Sequence, residues 1–241
     1  LAGAPRCHIN LHVQLNQKWL RRPRLRSFPF MTIHPIKRLL AAGIVASLFA
    51  ASAFGQAFAQ EGASKNPSVV KAGSYTIEPI HTQVVFTISH FGFSNFRGFF
   101  TGASGSLEID PAKVNSAKVE VTIPIASVLT TSTALDGILK GDQWFDAQKF
   151  PTATFTSTKV TSTGKDTASI AGNLTLHGVT KPVTLKARLV GSGVNPLDKS
   201  FTVGFDGTVT IKRSDFGIDQ YVQAFSDEVA LQIAAAFVLK Q

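Results

Sequence analysis

From Tyr75 to the C-terminus, apolar and polar residues alternate with the period of two that turns one face of a strand to an apolar interior. Val84, Phe86, Ile88 and His90 interleave with Gln83, Val85, Thr87 and Ser89. After a Gly92/Ser94/Asn95 turn, Phe96, Gly98 and Phe100 lead into Leu107 and Ile109. The alternation returns in Ala117, Val119, Val121, Ile123 and Ile125 and, past a Thr/Ser-rich run around Phe155, in Ile170, Gly172, Leu174 and Leu176. Beyond a His177-Gly178 turn come Val183, Leu185, Ala187 and Leu189, then Val203, Phe205, Gly207, Val209 and Ile211, and last Val229, Leu231, Ile233, Ala235 and Phe237. These runs amount to about eight strands, at spacings that predict an antiparallel barrel or sandwich. One segment departs from the pattern. Between Thr131 and Lys140, Leu135, Ile138 and Leu139 fall at helical spacing behind Ser/Thr capping residues, with Gly141 as the stop. Together with Trp144, Phe145 and Phe150 ahead of Pro151, this predicts a short helix and an aromatic loop plugging one end of the barrel.

The first hairpin holds six of the chain's 19 phenylalanines, Phe86, Phe91, Phe93, Phe96, Phe99 and Phe100, more aromatic surface than a hairpin buries alone. A barrel of this size either fills with side chains or holds one small or elongated ligand, and on composition the two outcomes stand level. Glycines at inward positions, Gly98, Gly105, Gly172 and Gly207, remove volume and tilt the balance toward a cavity, although bulges or bends account for them equally well. For an open channel, the alternation assigns Val84, Phe86, Ile88, Phe96, Phe100 and Leu107 to the lining. From the later strands it adds Val121, Ile123, Phe155, Leu174, Leu185, Val209 and Leu231.

Charge changes the picture only once it is located. The chain carries +9, but residues 1–59 hold eight Lys and Arg and no acidic residue, which leaves +1 for the rest and removes the case for a nucleic-acid partner. Met31, the single methionine, is followed by Lys37-Arg38, an apolar run from Leu39 to Phe49 and Ala57-Phe58-Ala59, the order of a secretory signal peptide. Export to the periplasm or beyond is therefore expected, with residues 31–59 as the signal, cleavage after Ala59 and Ala53 as the weaker site. Residues 1–30 are expected to be an over-extended reading frame, 60–74 a flexible tether, and 75–241 the folded domain. The lone Cys7 falls in the leader, so the exported domain has no disulfide or thiolate chemistry.

Few residues offer chemistry. Beyond the leader stand His81, His90 and His177, without HExxH or another compact metal spacing, and no metal site is expected. No Gly-x-Ser-x-Gly elbow, phosphate-cradling loop or acid/base carboxylate pair is present, so no catalytic residue is assigned.

Several runs taken together resemble one family. They are His81 to Phe93 followed by Phe96-Arg97-Gly98-Phe99-Phe100, Asp142-Gln143-Trp144-Phe145-Asp146 with Phe150-Pro151-Thr152-Ala153-Thr154-Phe155, Gly172 to Val183, and Arg213-Ser214-Asp215-Phe216-Gly217. In order and spacing they are similar to the YceI-like family across Tyr75 to Gln241. The resemblance implies an all-β fold: an extended, eight-stranded, antiparallel, lipocalin-like barrel with one short helix plugging an end. It also implies a polyisoprenoid, isoprenoid quinone or similar long amphiphile as ligand, with no catalytic cofactor. Where many members have a His ahead of Leu-Lys-Gly, this chain has Ile138, which puts any role of that His in doubt. A membrane b-type cytochrome is the protein partner the resemblance suggests, and the oligomeric state stays open, a homodimer included. For a head group at the channel mouth, the polar candidates are His90, His177, Arg213 and Asp215. The competing reading makes His177 a turn-stabilising group and pairs Arg213 with Asp215, while Arg97 faces outward.

Overall fold

The structure is a computed structural model whose described residues run from 62 to 241. The expected leader (1–30), signal peptide (31–59) and first tether residues lie outside the described residues. Ten strands follow one another: β1 (Gly73–Ile77), β2 (Gln83–His90), β3 (Ser94–Phe100), β4 (Ser104–Ile109), β5 (Lys118–Pro124), β6 (Thr152–Ser162), β7 (Thr167–Leu176), β8 (Val179–Val194), β9 (Phe201–Lys212) and β10 (Glu228–Leu239). Among the described residues one α-helix, α1 (Thr133–Lys140), interrupts them between β5 and β6.

These strands form a closed eight-stranded antiparallel barrel. One edge of β10 pairs with β9 over its length; the other pairs first with β2, from Ala230↔Thr87 to Ala234↔Gln83, and then with β1, from Phe237↔Ile77 to Leu239↔Tyr75. β1 and β2 thus share one barrel position, and β3 and β4, which pair with β2 and β1 respectively, share the next. The interruption between β1 and β2 is held by the Glu78 carboxylate, which accepts from the Ile80 and His81 amides at 2.9 Å each and contacts His81 Nδ1 at 2.6 Å. Closure of β10 onto β1 leaves no free edge at the seam, the usual hazard of an antiparallel sheet.

The interior divides into two groups of buried residues. Beneath α1 lie Phe86, Phe100, Val128, Leu139 and Phe216; toward the other end lie Tyr75, Leu107, Phe201, Val203 and Phe237. α1 starts where the Ser/Thr signals put it: the Ser132 hydroxyl accepts from the Leu135 amide, and the buried Asp136 carboxylate accepts from the Thr130 amide and hydroxyl at 2.7 Å each. Leu135 and Leu139 face the core, whereas Ile138 is 56% exposed.

Two expectations need correction. Three of the four inward glycines do not hold the interior open: a Cβ on Gly98 would collide with the Phe86 ring, and one on Gly172 with the Phe155 ring, each ring reaching over from the adjacent strand, whereas Gly207 does border the cavity. Gly105 serves close backbone approach instead, an added Cβ colliding with the Glu120 carbonyl. The stretch 60–74, expected to be a flexible tether, is built into the barrel where it is described. Ser64 pairs with Ser192 through bonds of 2.8 and 2.9 Å, Pro67–Val69 makes a 3-10 turn, and Val70 is buried. Its polar composition carries no period because main-chain bonds and one valine do the anchoring.

Candidate functional site

An elongated cavity of about 240 Å³ runs inside the barrel, lined almost entirely by apolar side chains. Nine residues assigned to the channel by alternation line it: Val84, Leu107, Val121, Ile123, Phe155, Leu174, Leu185, Val209 and Leu231. Ile170, Phe205, Ile233 and Phe237 join them on the same inward registers, where the same alternation marks them, and Val160, out of phase with Phe155 by one residue, reaches the cavity because β6 is bulged between Ser157 and Lys159. Pro67 and Val70 also contribute, and no periodic signal announces these two.

Four expected lining residues lie elsewhere. Phe86 and Phe100, with ring centroids 5.7 Å apart, are buried in solid core, and Phe100 meets Phe145 edge-on at 5.5 Å. Ile88 and Phe96 pair across β2 and β3 nearer the hairpin tip and do not reach the cavity. The cause is axial position. The β2–β3 hairpin runs past the cavity floor to the plug, so its inward face meets α1 and the aromatic loop rather than empty space.

None of the four head-group candidates lines the cavity. All belong to, or flank, the plugged end. His90 is exposed and stacks on Phe225 at 5.0 Å. His177 sits in a left-handed turn at φ 52°, with Nδ1 3.1 Å from the Phe216 carbonyl and its ring edge-on to Phe150 at 4.6 Å, so it ties its turn to the distant Arg213–Phe216 segment rather than to backbone of its own turn. Arg213, only 4% exposed, donates Nε to Ser226 O at 3.1 Å, Nη1 to Ile218 O at 2.8 Å and Nη2 to Phe225 O at 3.0 Å, with its guanidinium over the Trp144 ring. Burial lowers its pKa, opposed by the charges of Asp227 and Asp219. No ion pair joins Arg213 to Asp215, which is exposed in a separate outer groove with Lys181 and Lys212. The acid that closes this loop is Asp227, which accepts from the Ser214 amide at 2.9 Å and hydroxyl at 2.8 Å. Among the described residues, no three His, Cys, Asp or Glu side chains converge as a possible metal site.

The cavity's open end is formed by Pro67 and Val70, by Pro111 and Val114 of the β4–β5 connection, and by Ser162, Gly164, Lys165, Asp166 and Thr167 at the β6–β7 turn. Tyr75, wholly buried, fixes the N-terminal side of this rim by donating its phenol to Lys71 O at 2.7 Å, and burial pushes its pKa up.

This cavity stands in a sequence whose residues 75–237 match the model of the YceI-like domain. The chain belongs to the YceI-like family. A YceI-like relative from Pseudomonas fluorescens, described as a UPF0312 protein, is 42% identical over 172 residues, covering 68% of this chain and 86% of its own. Among solved structures, BcnA of Burkholderia cenocepacia superposes with a TM-score of 0.61 at 26% identity, covering 66% of this chain and 98% of that one. A polyisoprenoid binding domain from Saccharophagus degradans, implicated in plant cell wall breakdown, superposes with a TM-score of 0.54 at 16% identity, covering 70% of this chain and 100% of that one, a likeness of fold alone.

Proposed function

We propose that this protein binds the apolar chain of a polyisoprenoid, an isoprenoid quinone or a similar amphiphile inside the barrel, as an exported carrier rather than an enzyme. The observation that carries the reading is the apolar cavity running inward from a polar rim. Each isoprene unit brings about five carbons, and at ~0.8 kcal/mol per CH₂-sized group a few units contribute several kcal/mol before ordering costs. Chain burial alone then supplies affinity, with no catalytic cofactor required. Family membership and the fold shared with a polyisoprenoid binding domain support the same ligand class. Export follows from the signal-like order of residues 31–59.

Organic extraction of freshly purified protein, followed by mass spectrometry, tests the proposal. A co-purifying isoprenoid or related lipid at near one equivalent is expected. Empty protein that takes up neither quinone nor polyprenol would sink it. A second reading, docking onto a membrane b-type cytochrome, has its own support in Phe91, Phe93 and Tyr221. Phe93 is 92% exposed, while Phe91 and Tyr221 lie edge-on to Phe225 at 5.2 and 6.0 Å. Co-purification with a membrane subunit that is lost on Phe93→Ser would favour it.

A further inference from the structure

Apart from the buried Thr82, whose hydroxyl is taken up by the Ala236 backbone, the polar side chains that border the cavity are segregated. Its inner end is walled by Phe155, Leu174, Val183, Val209, Leu231 and Ile233, while Ser162, Lys165, Asp166 and Thr167 lie at the β6–β7 turn. Asp206 also borders the space, but its carboxylate is turned to Arg188 at 2.9 Å. A polar head group driven to the inner end would lose its hydration and meet no partner, whereas at the turn it meets hydroxyls and stays wet. The charges that line the cavity cancel: Lys165 stands beside Asp166, and Asp206 is neutralised by Arg188. Lys71 is not part of the lining, its ammonium being held over the Phe201 ring at 4.6 Å. A head group carrying two negative charges would find no net positive field at such a rim, whereas an alcohol, amide or quinone carbonyl finds both donors and acceptors.

Resting on the binding function above, we infer that the barrel takes its ligand tail-first and meets a neutral, hydrogen-bonding head group at the β6–β7 turn, not at the histidine- and arginine-bearing end. The space fixes the buried length as well. A cavity of about 240 Å³ holds about eight water-sized groups at ~30 Å³ each, so a ten-carbon, two-isoprene tail fills it and leaves its last carbons and the head at the rim.

The test uses the full exported protein with two photoreactive C10 alcohols, one with a diazirine beside the hydroxyl and the other with it at the far end. Peptide mapping is expected to find the head-side probe on residues 111–114 and 162–167 and the tail-side probe near Leu174, Val209 or Leu231. The reverse pattern, or labelling confined to the His90/Arg213 end, overturns the orientation while leaving lipid binding intact. Calorimetry with geraniol and geranyl diphosphate tests the head group. Preference for the alcohol by roughly tenfold is expected, narrowed several-fold by Asp166→Lys, which gives the rim a net positive charge. Equal affinity for both ligands, or a preference that Asp166→Lys leaves unchanged, refutes the neutral-rim argument. Failure of either ligand to bind, with no lipid extracted, removes the binding function itself.

Discussion

Arg213→Met separates the two readings of the most deeply buried cation in the domain. The guanidinium satisfies three carbonyls that close the loop between β9 and β10, and only Ile218 O lies in a fully buried environment. Orphaning that carbonyl costs about 1–3 kcal/mol, and the partly solvated Ser226 and Phe225 carbonyls add ~0.5 kcal/mol each, because water replaces part of what they lose. Methionine refills much of the volume against Trp144, so the packing loss stays small. The expected destabilisation is therefore about 3 kcal/mol, or a melting temperature lower by roughly 10 °C for a domain of this size. Urea unfolding followed by circular dichroism measures it, with ligand affinity determined on the fraction that remains folded. Arg213→Lys keeps one charge but cannot reach all three carbonyls, and falls between. The structural role predicts lost stability with affinity unchanged within about twofold. A stability change under ~0.5 kcal/mol accompanied by a large loss of affinity would refute it and return Arg213 to the head-group candidates.

Gly172→Ala drives a methyl into the Phe155 ring and to 2.6 Å from the Thr156 carbonyl, and should lower stability by about 1–3 kcal/mol, whereas Gly207→Ala, whose nearest neighbour would be Ile233 at 3.4 Å, should change it by under ~0.5 kcal/mol. Paired thermal melts read the difference. Asp227 is held below the ordinary carboxylate range first by the Ser214 amide, then by the Ser214 hydroxyl and the charges of Arg213 and Lys212, against the effect of desolvation. Its stabilisation is thus fully present above the unfolded value of about 3.9 and lost as pH falls through the lower folded value. Melting temperatures across pH 2–7, an acid range of roughly five units, should show a shallower acid limb for Asp227→Asn together with lower stability at neutral pH. Leu174→Trp fills the inner end of the cavity and should weaken uptake of a C10 alcohol by about tenfold or more, as calorimetry will show; unchanged uptake would place the ligand elsewhere.

Alternation along the strands made the barrel legible, because a closed sheet has one inner face and every second residue must serve it. The helix was equally legible, since Ser132, Leu135, Leu139 and Gly141 each act locally. Position along the barrel axis was not. Phe86 and Leu174 both point inward, yet one rests on Gly98 in the solid core and the other borders empty space. That distinction depends on strand register and on where the plug ends, both non-local quantities.

Polar residues misled for a related reason. Proximity in sequence suggested that Arg213 meets Asp215, but the partners of Arg213 are backbone carbonyls supplied by residues 218–226, which leave no mark in side-chain identity. Conversely, no periodic signal or motif singles out Ser162 to Thr167, and its standing at the cavity's open end emerges only from the closed geometry. The two ends of the barrel consequently divide their work. Aromatic side chains and Arg213 fill one end and close it off from the cavity, so on the binding function proposed above the head group is met by the turn at the other.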